Sequence, residues 1–114
     1  MKIFNKTRGT IIAAYGDMAD TPLSRMTGLL NRTSLAKDSG LVITACQSIH
    51  MFFMKFAIDA IFVDKNNVVV GLVHNIKPFQ LSPIFFKASY VIEVPVQTIA
   101  QTKTAVGDEI DLNH

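Results

Sequence analysis

The side chains with chemical capability gather in one stretch. Residues 46–64, CQSIHMFFMKFAIDAIFVD, place Cys46, His50, Lys55 and Asp59 among four of the chain's eight phenylalanines. Cys46 and His50 have the composition of a nucleophile and its base. Four residues of extended chain nevertheless span about 13 Å at ~3.3 Å each, beyond hydrogen-bond reach unless Gln47 and Ser48 form a turn. A buried structural thiol is the simpler reading of Cys46. His50 with Asp59 as its orienting carboxylate would make an acid/base pair suited to a small hydrolase or isomerase. Lys55 and Asp59 flank the short Phe56-Ala57 connection, where they can meet either as a structural salt bridge or as a pair facing a ligand. His74 could approach His50, but two histidines without a matched carboxylate do not make a metal site, and neither metal nor cofactor is expected. Phosphate-cradling glycine loops, HExxH and GxSxG do not occur in the sequence.

The elements that must position these residues follow from local pattern. Residues 49–55 read as a strand with His50, Phe52 and Met54 on one face and Met51, Phe53 and Lys55 on the other. Both faces are mostly apolar, so the strand is expected inside a sheet. Residues 58–64 form the next strand, and Lys65-Asn66-Asn67 supplies a turn that returns the chain antiparallel over 68–75. The run VVVGLV, apolar on both faces, is expected at the sheet centre.

Upstream, residues 2–5 and 10–18 read as a hairpin turned at Arg8-Gly9. Asp20 or Thr21 as cap, Pro22 at the first helical position, and Leu23, Met26, Leu29 and Leu30 at helical spacing predict a short helix. Arg25 lies on its polar side and Arg32 at its exit; both are solvated charges by default, and either could orient an anionic ligand. A loop over 31–40 leads to a strand at 41–45. Downstream, Pro78 and Pro83 bound an irregular loop carrying Phe79, Phe85 and Phe86. A strand over 88–94 stops at Pro95, a short helix spans 96–102, and the Gly107-Asp108 turn precedes a strand at 109–112. Asp64 and Asp108 are turn formers. The sum is a mainly β, single-domain antiparallel β-sandwich or barrel of seven to eight short strands with two short helices.

Composition narrows the function class. A chain of 114 residues, 49% hydrophobic and 18% charged, suits one globular domain. Eleven Lys+Arg against nine Asp+Glu are scattered singly, so no basic stripe for nucleic acid is present. The lone cysteine forms no intrachain disulfide and suits a reducing compartment. The apolar run at 11–15 is shorter than the ~7–15 residues of a signal-peptide core, and nothing approaches the ~18–20 of a membrane span. A cytoplasmic protein with no membrane partner is expected. A single core that consumes the apolar residues predicts a monomer or weak dimer.

A longer pattern runs through these motifs. In order come Thr27-Gly28-Leu29-Leu30-Asn31-Arg32, Leu35, Ser48-Ile49-His50-Met51-Phe52-Phe53-Met54-Lys55-Phe56, Ile58-Asp59, Phe62-Val63-Asp64, Val91-Ile92-Glu93-Val94-Pro95 and Val106-Gly107-Asp108. Together they resemble the domain-of-unknown-function 192 family over about residues 20–112. The resemblance implies a compact, sandwich-like prokaryotic β domain and assigns no reaction. Three positions depart from the family pattern: Ala57 stands for a proline, Val96-Gln97 for Ala-Gly, and Lys103 for a glycine after the second helix. The function expected is a non-enzymatic module that recognises a small molecule or peptide between the 50–59 region and the 79–86 loop. His50, Met54, Lys55, Asp59, Arg25, Arg32 and Phe79 are the candidate ligand contacts, and the enzyme alternative rests on His50 and Asp59.

Overall fold

The computed structural model describes residues 1–19, 34–52 and 54–113. The strands are β1 (Lys2–Asn5), β2 (Thr10–Ala13), β3 (Tyr15–Ala19), β4 (Ser39–Thr44), β5 (Ile58–Asp64), β6 (Val69–Ile76), β7 (Ala88–Pro95) and β8 (Ile110–Asn113), with helix α1 (Thr98–Thr102) between the last two. Both expected hairpins form, and their turns follow from residue chemistry. Gly9 takes φ +68° between β1 and β2, where a side chain would be strained. Between β5 and β6, Asp64 Oδ1 accepts from the N–H groups of Asn66 and Val68 at 2.8 and 3.0 Å. Asn67 supplies the left-handed step at φ 64°.

The strands build a three-stranded sheet in the order β2-β1-β8 and a five-stranded sheet in the order β3-β4-β7-β5-β6. Every pairing is antiparallel except β3 with β4. That parallel pair is the one exception among these pairings in a mainly antiparallel fold. It arises because the predicted 10–18 strand breaks after Ala13, and the intervening residues 20–38 are enough for a crossover connection. Ile3, Ile12 and Ile110 of the small sheet meet Val42, Ile61 and Ile92 of the large one in a shared core. The molecule is therefore a sandwich, not a closed barrel.

The large sheet also buries its other face. There Ile43, Ile58, Phe62 and Val91 pack with Ile49, Met51 and Met54 from connecting segments. Burial on two faces explains why β5 and β7 are apolar at most positions on both faces, with Asp59 and Glu93 as buried exceptions. It also corrects the placing of VVVGLV, because β6 lies at the edge of the sheet and β7 at its centre. Val69 joins the inter-sheet core while Val70 and Val73 pack against the opposite one. Two-sided apolarity here reports covering of both faces, not a central position.

The strand expected over 49–55 does not form. Its ladder contact is a single bridge between His50 and Leu81. Met51 and Met54 point into the core while Phe52 and Lys55 are exposed, a three-residue spacing closed by Met54 N–H on Met51 O at 3.2 Å. His50, Phe52 and Met54 therefore do not share a face. The first predicted helix with Arg25, its exit at Arg32, and Phe53 lie outside the described residues.

Helix α1 falls within the expected helical segment. The residue before it, Gln97, has φ 77° and the residue after it, Lys103, has φ 57°. Two departures from the family pattern thus occupy left-handed positions of the kind glycine serves at no steric cost.

Candidate functional site

Two irregular segments lie over the second core of the large sheet and are zipped together by main-chain hydrogen bonds. Met51 N–H donates to Gln80 O and Phe79 N–H to Met51 O, both at 2.8 Å, and Ser82 N–H reaches Ile49 O at 2.9 Å. Phe85 N–H donates to Gln47 O at 2.8 Å, and the Gln47 side-chain amide donates to Phe86 O at 2.6 Å. Ser82 Oγ accepts from Ile49 N–H at 2.8 Å. These bonds give the ribbon main-chain partners outside a sheet.

The ribbon has an inner and an outer side. Ile49, Met51 and Met54 anchor it below, and Phe56 and Phe85 pack partly against the same core. The Phe85 ring lies 4.5 Å from that of Phe62 and fills the space where Gly71 has no side chain: a Cβ there would clash with the ring. On the outer side Phe52, Phe79, Leu81, Ile84 and Phe86 stand 41%, 65%, 67%, 56% and 78% exposed. The expectation that one core consumes the apolar residues fails at this surface. Phe79 also holds φ 68°, a backbone state unfavourable for an aromatic residue and typical of positions constrained for use.

The candidate residues separate on this ribbon. His50 is exposed and its ring sits 5.1 Å from that of Phe52. Lys55 is exposed, Met54 is buried in the core, and Phe79 is on the outer side. Cys46 is half-buried, with Sγ donating to Ser48 O at 3.1 Å. Asp59 is 1% exposed on β5. Its Oδ1 accepts Asn75 N–H at 2.9 Å and its Oδ2 accepts Ile99 N–H at 3.0 Å.

Asp59 thereby ties the irregularity in the β5–β6 ladder to the first turn of α1, satisfying an orphan helix donor from a distant strand. Among the described residues it makes neither the ion pair expected with Lys55 nor a hydrogen bond to His50. The reason is geometric: without a strand at 49–55, no strand-to-strand turn brings Lys55 to Asp59. His74 is exposed on β6, and no group of three or more potential metal-binding side chains occurs among the described residues. No helix among them is long and apolar enough to cross a membrane.

Two buried polar features escaped the motif reading. Asp108, more than a turn former, gathers the Asn5 amide at 2.9 Å, Arg8 Nε at 3.0 Å and Ala105 N–H at 2.9 Å. Burial alone would raise its pKa, but those hydrogen bonds and the Arg8 charge hold the carboxyl below the usual range. Glu93 is the other. It lies in mid-β7 opposite Ala60 and Leu41, is 7% exposed, and has no hydrogen-bond or ion-pair partner among the described residues. Burial pushes its pKa up to about 7. Its signal was present as a lone acid inside the apolar run VIEVP.

This architecture recurs in solved structures. A Novosphingobium aromaticivorans protein of unknown function superposes with a TM-score of 0.84 at 20% identity, covering 98% of this chain and 84% of that one. A protein from Sinorhizobium meliloti superposes with a TM-score of 0.78 at 19% identity, covering 96% and 89%. At those identities the likeness is one of fold. Sequence relatives are nearer. A UPF0127 protein of Thermococcus sibiricus is 34% identical over 113 residues, covering 96% of this chain and 73% of the relative. A UPF0127 protein of Pyrococcus furiosus is 32% identical over 114 residues, covering 97% of each. The DUF192 family model, described as Uncharacterized ACR, matches residues 3–112, and the chain accordingly belongs to the DUF192 family.

Proposed function

We propose that the domain is a non-enzymatic binding module of the prokaryotic cytoplasm, a monomer or weak dimer, whose ribbon recognises a small molecule or a peptide. The observation that carries this reading is the group of five large apolar side chains exposed on the two ribbon segments. Large apolar side chains exposed together mark an interaction site, and loops held on a rigid β scaffold are where such sites sit. His50, whose ring is tilted against that of Phe52, and the exposed Lys55 add polar groups that can orient a ligand. The acid/base alternative draws no support from the geometry, since Asp59 is buried with both oxygens engaged by main-chain N–H groups.

Screening of a fragment set and a short-peptide set by amide chemical-shift perturbation tests the reading. Saturable shifts are expected within residues 47–55 and 79–86, and are expected to vanish in a folded Phe79→Ser/Phe86→Ser variant. Shifts confined to other surfaces, or shifts unchanged in that variant, would refute it.

A further inference from the structure

We infer that the occupant is an extended peptide that adds as a strand to the outer edge of β6, seats an apolar side chain in the trough beside it and sets a carboxylate against Lys87. The inference rests on the binding-module reading and names the partner class for its β6 side.

Three features on one flank of the molecule carry it. The first is the edge itself. β6 is the last strand of the five-stranded sheet, and Val69 N–H and C=O are used by Asp108 and Gly107 at its start. At its other end the ladder is irregular opposite Asp59, with Asn75 at φ 50° held by the Asp59 carboxylate. Between those ends, residues 70–73 present an edge that no strand pairs among the described residues. A short open edge between two fixed ends suits the addition of a few residues of extended chain and sets their register.

The second feature is a trough of about 320 Å³ alongside that edge, lined by Val70, Ile84, Phe85, Phe86 and Lys87. Its size lies at the small end of the ~300–1,000 Å³ range of ligand pockets and suits side chains better than a whole cofactor. Phe85 fixes its floor by packing over Gly71, so the hollow is built into the sheet. Four of the five lining residues are apolar, and the fifth is an exposed cation at the rim.

Charge is the third feature. Residues 45–58 and 77–90, which include the whole ribbon, contain no Asp or Glu, and their charged side chains are Lys55, Lys77 and Lys87. An apolar surface whose own segments carry lysines and no acids selects an apolar partner that carries acid. A lipid surface shares that chemistry but makes no use of an open strand edge, and the edge is what favours a peptide.

The experiment is a selection of displayed random short peptides on the immobilised full chain, followed by synthesis and titration of enriched sequences. Enriched peptides are expected to alternate apolar residues with at least one acid and to slow amide hydrogen exchange within residues 70–73. Lys87→Glu is expected to weaken them about tenfold or more, and exchanging the peptide acid for lysine to restore affinity to that variant. Peptides that bind without protecting residues 70–73, or that ignore Lys87→Glu, overturn the inference and leave the binding module standing. Failure to enrich any peptide also overturns it, and the ribbon shift experiment then decides independently whether the module reading survives. Sedimentation with phosphatidylglycerol vesicles that is lost in Phe86→Ser, with no peptide selected, assigns the flank to a lipid surface and overturns it as well.

Discussion

Glu93 makes stability fall as pH rises, and Glu93→Gln should abolish that dependence. The carboxyl is buried in mid-sheet beside Leu41 and Ala60, and burial raises its pKa from 4.5 to about 7. Between those two values the folded chain keeps a proton that the unfolded chain has released. The unfolded state therefore binds fewer protons there, and the stability of the native state declines with increasing pH. The contribution is complete below about pH 4.5, is lost through pH 7 and levels off above it. A displacement of this size corresponds to about 3 kcal/mol at ~1.4 kcal/mol per pH unit. Glutamine matches the protonated acid in shape. The variant should equal wild type near pH 5 and exceed it by about 3 kcal/mol near pH 8. Urea unfolding of both proteins across that range reads the difference, in which all other titrating groups cancel, and the m-values should coincide. Parallel pH profiles for the two proteins would refute the argument, since they would mean that Glu93 titrates alike in the folded and unfolded chains.

Three further outcomes follow from the packing. Asp59→Ala leaves the Asn75 and Ile99 N–H groups unsatisfied and should cost about 3–5 kcal/mol, whereas the exposed Lys55→Ala should change stability by less than about 0.5 kcal/mol; strong coupling between the two in a double-mutant cycle would restore the ion pair that the geometry denies. Gly71→Ala forces its Cβ against the Phe85 ring, so it should cost about 1–3 kcal/mol by overpacking and shift the aromatic resonances of Phe85, and a neutral, spectrally silent substitution would contradict the packing. Gln97→Gly and Lys103→Gly relieve left-handed backbone at φ 77° and 57° and should each add up to about 1 kcal/mol in thermal unfolding, with a loss at either site counting against the assigned conformation.

What the sequence disclosed depended on how local its determinants were. Both hairpins could be read because Gly9, Asp64 and Asn67 act through their own backbone. Likewise β7 and β8 could be placed, because Pro95 and Gly107 punctuate them. The order of strands was not legible: β6 and β5 are equally apolar, and which lies at the edge is decided by contacts distant in sequence. Residues 49–55 misled for a related reason. Aromatic and branched residues favour strands only when a neighbouring edge accepts them, and here backbone bonds to residues 79–82 take that place. Asp59 was visible as chemistry but not as structure, because its two partners lie 16 and 40 residues away.

The motif that drew attention at the outset therefore divides by burial, and the division bears on function. Folding accounts for Met51, Met54 and Asp59, which the core and the helix terminus consume. It does not account for Phe52, Leu81, Ile84 and Phe86, whose exposure leaves apolar surface in water at about 25 cal/mol per Å² of transfer free energy. Phe79 adds a left-handed backbone, a state that costs on the order of 1–3 kcal/mol for a bulky residue. A chain that needed only to fold could carry polar residues at these places and gain by it. Under the proposed function a partner covers them. Met51 and Met54 anchor the ribbon over the large sheet, and on the proposed reading a partner would meet its outer side as a preorganised surface.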